Sequence, residues 1–200
     1  MLTLLHTSPA HIARFDGLRD RLAPGTPLTH LVREDLLARA RTNGMTAAIA
    51  RDVAALVSGR NALCTCSTLG SAAEAAGAVR IDRPAMRTAA QTGGHVLMAY
   101  CLESTAAPSQ ALLEEEMANA RNTAGITSFF IPGAWPHFEA AETMRFAKTI
   151  ANEVRAALTP GIACVLLAQA SMDGAAAFLA DVPVPVFTTP ERALSAALAL

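Results

Sequence analysis

The chain has 200 residues, of which 52% are hydrophobic and 16% charged, with a formal net charge of −1. That length and composition fit one large or two small globular domains with a sizeable core, and exclude a disordered tail. The balanced charge, the lack of a basic stripe and an aromatic content of only 4% argue against nucleic acid as a partner.

The elements follow in chain order. "LTLLHT" at 2–7 reads as a strand, and the stretch 11–22 as a helix. A strand at 27–32 (PLTHLV) and a long helix over 36–57 come next. A third strand, 62–67 (ALCTCS), leads to helices over 70–77 and 83–92. Then come a strand at 95–101 (HVLMAYC), a helix over 109–123 and a strand at 127–131 (TSFFI). The remainder reads as a helix over 140–158, a strand at 162–168 (IACVLLA), a short helix at 174–180, a strand within 184–188 and a helix over 190–199. Short apolar β-type runs alternating with longer helical-period stretches are the signature of a parallel α/β sheet. The runs 62–67 and 162–168 are nearly continuous in apolar residues, as strands covered on both faces require.

A loose internal echo runs through the chain. "ALCTCSTLGSAAEAAG" and "ACVLLAQASMDGAAAF" both pass from an apolar strand through small polar residues into an Ala-rich helix. The echo predicts two similar α/β lobes facing each other. One comprises residues 1–92 with 184–200, the last strand and helix crossing back to complete it; the other is 93–183. No apolar run reaches the roughly 20 residues that span a bilayer, and "MLTLLH" reads straight into a strand instead of a leader, so no membrane partner is expected. The four cysteines, Cys64, Cys66, Cys101 and Cys164, sit in a chain too large and apolar to need staples, and read as reduced thiols of a cytoplasmic protein. Lys148 is the only lysine among sixteen basic residues, which with the heavy alanine content points to a GC-rich bacterial genome.

The pair in "ALCTCSTLG" (62–70) carries the most chemistry. Cys-x-Cys is too short for a zinc knuckle and no second Cys/His pair follows, so no metal is expected; a redox pair would have two intervening residues at a helix start. Cys64, inside the strand, reads as a small buried hydrophobe. Cys66 falls where the strand ends, the edge at which open α/β sheets place ligands. "STLGS" then opens a helix whose free N–H groups and dipole favour an anion and a thiolate.

"LCTCSTLG" resembles the first active-site motif of the cofactor-independent aspartate/glutamate/hydantoin racemase superfamily. The resemblance extends in order through "LLHTS" (4–8), "RIDRPAM" (80–86), "ESTAAPS" (103–109), "VLLAQASM" (165–172) and "VPVF" (184–187), covering essentially the whole chain. It implies two doubly wound lobes related by a pseudo-two-fold, with the active site in the cleft between them. It also implies an isomerase that moves a proton next to the carboxylate or carbonyl of a small acid, without metal, pyridoxal phosphate or nucleotide. Cys66 then takes the acid/base position, with Ser67 and Thr68 behind it. His6, Thr7 and Ser8 correspond to the first substrate loop, Ser104 and Thr105 to a carboxylate-binding turn, and Ser171 to the second active-site strand. Ser8 and Ser109 have a plainer reading as helix caps, Asp82 as an orienting group or a turn residue, and Trp135 with His137 as a loop near the site or simply on the surface. A homo-oligomer is compatible with all of this.

The second strand of the family normally ends in cysteine, where this chain has Gln169. A carboxamide neither donates nor accepts a proton at ordinary pH. The expectation is therefore one-sided proton transfer with little racemisation of free aspartate or glutamate, unless Cys101 or another group supplies a second acid. A single-thiol decarboxylase or isomerase, or a protein that only binds a small carboxylate, are the alternatives. Arylmalonate decarboxylases of the same superfamily keep one cysteine, on the opposite side.

Overall fold

The computed structural model describes all 200 residues. The chain divides into two compact units, Met1–Asp82 with Pro190–Leu200, and Arg83–Thr189. The first is built from β1 (Leu2–His6), α1 (Ala10–Leu22), β2 (Leu28–Val32), α2 (Glu34–Asn43), α3 (Ala47–Val57), β3 (Ala62–Cys64), α4 (Ser67–Ala75), β4 (Val79–Arg80) and, from the C-terminal segment, α9 (Pro190–Leu198). The second holds α5 (Arg83–Ala90), β5 (His95–Tyr100), α6 (Glu103–Asn119), β6 (Ile126–Phe130), α7 (Trp135–Glu139), α8 (Thr143–Ala157), β7 (Ile162–Leu167), a 3-10 segment (Ala170–Phe178) and β8 (Val186–Thr188).

Each unit has one four-stranded, all-parallel sheet, in the orders β2-β1-β3-β4 and β6-β5-β7-β8. The two orders are the same pattern, so the echo between the halves is a repeat of topology. In the first unit Leu5 and Cys64 point from the sheet to Leu36, Ile49, Val53 and Leu69 of the covering helices. In the second unit the pleat splits the core in two. Leu97, Ala99, Val165 and Leu167 meet α8, while Val96, Met98, Cys164 and Leu166 meet α5 and α6. That period-2 alternation on strands buried on both faces explains their unbroken apolar runs. Each such Leu, Val or Met side chain contributes roughly 1.5–3 kcal/mol by leaving water.

Local chemistry resets several expected boundaries. The single helix over 36–57 is two: Gly44 takes φ 69°, and Thr46 accepts a hydrogen bond from the Ile49 amide at 3.3 Å, capping α3. β3 stops at Cys64, and Cys66 itself becomes the N-cap residue of α4, which starts at Ser67. "ESTAAPS" is the start of α6, with Pro108 inside the helix. It is not a turn. Trp135 and His137 lie on α7, where Trp135 stacks on Phe138 and Phe138 meets Phe146 of the core at a tilt of 53°.

The lobe boundary also moves. β8 does not return to the first sheet: it pairs with β7 in the register Val165↔Val186, and Val165 donates its amide to the Pro185 carbonyl. Only α9 crosses back, where the Asn61 side chain donates to the Ala197 carbonyl at 3.2 Å. The helix after Asp82 joins the second unit because Ala85, Met86, Ala89 and Ala90 pack into its core, and Arg83 and Arg87 both pair with the buried Glu116 of α6.

Candidate active site

The carboxyl ends of β1 and β3 are adjacent, with Leu5 opposite Cys64. Two residues further along, the same parallel register brings Thr7 beside Cys66. Cys66 is 7% exposed, while Cys64 and Cys164 are fully covered and Cys101 nearly so. Burial pushes the Cys66 thiol up from its ordinary value. The Thr7 hydroxyl, the Leu69 and Thr68 amides and the Thr68 hydroxyl pull it back down without overcoming that effect. The helix N-terminus therefore does not, as the sequence alone led one to expect, leave a resting thiolate. It gives a protonated thiol with four donors placed to hold the sulfur once the proton has gone. Thr7, Ser67 and Thr68 are all buried at this strand-end edge. Cys64 bonds the Cys66 carbonyl, and burial pushes its own thiol up strongly, as fits a core residue.

His6 is placed differently from the expectation of a carboxylate ligand. It is wholly buried, and both ring nitrogens are engaged: Nδ1 with Thr65 Oγ1 at 2.8 Å and Nε2 with His30 Nδ1 at 2.8 Å. Ser8 accepts from the Ala10 amide at 3.3 Å but is not the helix cap of its plainer reading, since the N-cap of α1 is Pro9 with no side-chain cap bond, and Ser109 lies inside α6. Asp82, also wholly buried, forms a forked pair with Arg80 at 2.7 and 3.0 Å. Arg80 packs against Gly70 of α4, where a Cβ would lie 3.1 Å from its Nε. The pair thus braces the helix that carries the Cys66 donors.

Burial of the histidines has a consequence for stability. Desolvation, then the neighbouring His11 and His30, lower His6 to about 3; desolvation, then Arg14, lowers His11 to about 4. The unfolded chain takes up protons below about pH 6.5 that the fold refuses. Stability is therefore complete above that pH and is lost as the pH falls toward 4 and then 3, with a combined slope of about 3 kcal/mol per unit while both contribute. Urea midpoints measured from pH 7.5 to 4.5 are expected to fall steeply below 6.5; a flat profile would contradict neutral buried rings.

In the second unit, Ala99 lies opposite Leu167, so two residues on stand Cys101 and Gln169. By register, Gln169 occupies the place in this sheet that Cys66 occupies in the first. Its carboxamide is already committed: Oε1 accepts from the amides of Cys101 and of Leu102, the latter at 3.2 Å, at the start of α6. Burial pushes the Cys101 thiol to about 12, with no hydrogen-bond donor offsetting it as donors do at Cys66. Ser104 and Thr105 lie on the first turn of α6, Thr105 buried. Ser171 opens the 3-10 segment after β7, and its buried hydroxyl has no partner; Ser109 of α6 and Thr189 after β8 share that condition. Unpartnered buried hydroxyls are costly. No cluster of His, Cys, Asp or Glu is arranged to hold a metal ion, and no helix is long and apolar enough to cross a membrane.

Two parallel four-stranded units with the same strand order, each presenting polar side chains at its carboxyl edge, define a two-lobed α/β protein of the kind that binds small molecules at strand ends. Comparison with solved structures makes the class specific. A glutamate racemase isoform from Bacillus anthracis matches over 100% of this chain and 80% of its own, with a TM-score of 0.70 at 11% identity. An aspartate racemase from Picrophilus torridus matches over 100% and 92%, at 0.67 and 12%. The Gly74Cys mutant of arylmalonate decarboxylase matches over 99% and 91%, at 0.59 and 17%. No protein-family model and no curated protein matches the sequence. The chain shares the fold of these racemases and of arylmalonate decarboxylase.

Sequence reasoning missed His30, His11 and Asp16. The one legible signal, for His30 alone, was a histidine in each of two strands, "LTLLH" and "LTHLV", that pair in parallel; His11 and Asp16 lie on α1 and had none.

Proposed function

We propose that the protein is a cofactor-independent enzyme of racemase type that transfers a proton next to the carboxylate or carbonyl of a small acid, with Cys66 as its acid/base. The observation that carries this reading is the Cys66 environment. The buried thiol rests protonated, and the Thr7 and Thr68 hydroxyls and the Thr68 and Leu69 amides are positioned to hold the thiolate after proton donation. Ser67, at the start of α4 and buried at the same edge, supplies a hydroxyl donor for a substrate carboxylate. In this reading the protein works in the reducing cytoplasm, which keeps its four free cysteines as thiols.

Gln169 favours one particular form of this chemistry. Its carboxamide cannot exchange protons, and Cys101 lacks the donors that surround the Cys66 sulfur, so a single thiol serves the proton transfer. One-sided protonation, as in a decarboxylation or an isomerisation, fits better than free racemisation. Iodoacetamide labelling with peptide mapping tests the role of Cys66. It is expected to react faster than Cys64, Cys101 and Cys164, and to be protected by at least one member of a panel of small mono- and dicarboxylates. Equal protection of all four thiols would count against it.

A further inference from the structure

The Gln169 carboxamide has only one of its two ends in use. Its Oε1 accepts from the amides of Cys101 and of Leu102, the latter at 3.2 Å. That fixes which way round the amide sits, because exchanging its oxygen and nitrogen would set an NH2 group against two N–H donors. The Gln169 backbone is held as well: as N-cap of the 3-10 segment, its carbonyl accepts from the Met172 amide at 3.0 Å. Nε2, by contrast, has no partner within the protein and is not closed off from solvent. Two residues on, the Ser171 hydroxyl is buried with no partner at all. Ser109 and Thr189 share that condition but are 0% exposed, whereas Gln169 and Ser171 keep 8% and 6%. The two form a pair of unspent donors on a fixed strand end.

The charges around this edge decide what such donors take. The residues that follow the four strands of the sheet, 101–105, 131–135, 168–174 and 189, include no Lys, Arg or His, and their charged members, Glu103 and Asp173, are both acids. His137 of α7 is paired with Glu142, Arg83 of α5 with Glu115 and Glu116, and Arg87 with Glu116. The start of α6 offers an anion little, since Glu103 sits in its first turn and Gln169 Oε1 takes up the two amides leading into it. A carboxylate would leave water here with no cation to offset the cost. An uncharged carbonyl oxygen needs only the N–H and O–H that are unspent. We propose that Gln169 Nε2 and Ser171 Oγ form a binding site of the second unit for a neutral carbonyl oxygen of the ligand, of amide type. This deepens the proposed function and rests on it for the choice of a small acid as ligand; the donor pair itself belongs to the second unit alone.

Gln169→Glu separates the two ends of the side chain. Glutamate keeps an oxygen for the Cys101 and Leu102 amides, so the strand end stays tied to the start of α6. It replaces the Nε2 donor with a second oxygen, which repels a carbonyl. Ser171→Ala removes a hydroxyl that no protein group uses, so folding loses no hydrogen bond.

The test uses the full chain, labelled with 15N, and two probes of equal length, succinamate and succinate. The Gln169 side-chain amide is the pair of NH2 cross-peaks that vanishes in Gln169→Glu. In the wild-type chain it is expected to shift saturably with succinamate, and succinate is expected to bind at least about 10-fold more weakly. Ser171→Ala should weaken succinamate about 2- to 10-fold, the loss of one hydrogen bond. Gln169→Glu should abolish its binding, read from the Ala170 backbone amide, with the urea midpoint showing that the variant is folded. Succinate binding as tightly as succinamate, a Gln169 amide that neither probe shifts, or succinamate affinity unchanged in both variants would overturn the proposal. None of these readouts involves Cys66 or turnover, so a failure of proton transfer by Cys66 would bear on the proposed function and not on this site.

Discussion

Asp82→Ala is expected to lower the unfolding free energy by about 3–5 kcal/mol, the cost of stranding a buried charge whose partner has been removed. Arg80 and Asp82 are 4% and 0% exposed and share two hydrogen bonds. Alanine would leave the guanidinium inside the fold with Glu74, 3.7 Å away and partly exposed, as its remaining carboxylate. Urea denaturation at pH 7.5 gives the number. The double replacement Arg80→Leu with Asp82→Leu should lose much less, because neither charge is then buried. Equal losses in the single and double variants would mean that packing, not the ion pair, is what matters there. Because Arg80 lies against Gly70 of α4, a loosened pair should also raise the alkylation rate of Cys66.

Cys66→Ala is expected to have the largest effect on activity, a fall of about 10²–10⁴-fold in proton transfer, with stability changed far less. The side chain is small, and the space around it is shared by Leu5, Leu69 and Ala73 of the same core. What disappears is the one thiol at the carboxyl edge of the first sheet that has hydroxyl and amide donors around it. Cys64→Ala, two residues back at the end of β3 and wholly buried, should leave the rate within a few-fold of wild type. The contrast between neighbours two residues apart separates a chemical role from a packing role.

Much of the architecture was legible because it is written in local patterns. Continuous apolar runs at 62–67 and 162–168 located one inner strand of each sheet, and the small polar residues after each located the two equivalent strand ends at Cys66 and Gln169. What escaped was non-local. A pair of residues, Gly44 and Thr46, broke a helix whose periodicity ran on past them. Hydrogen bonding of β8 to β7 outweighed the expectation that the last strand would return with its helix. The commitment of Gln169 to the amides of Cys101 and Leu102 spans 67 and 68 residues, and no spacing rule reaches that far. The thiol pKa went the other way from the helix-dipole argument because sequence shows a helix start but not the depth of burial, and burial is the larger effect here.

Deuterium incorporation in heavy water tests the central claim most directly. Both enantiomers of a panel of small acids, together with achiral malonates, are incubated with the wild-type chain and with Cys66→Ala, and the α-position is followed by NMR with chiral analysis of the product. One-sided proton transfer by Cys66 predicts deuterium delivered with a single stereochemistry, little racemisation of aspartate or glutamate, and loss of incorporation in Cys66→Ala. Incorporation that persists undiminished in Cys66→Ala, or rapid full racemisation by the natural sequence, would contradict it.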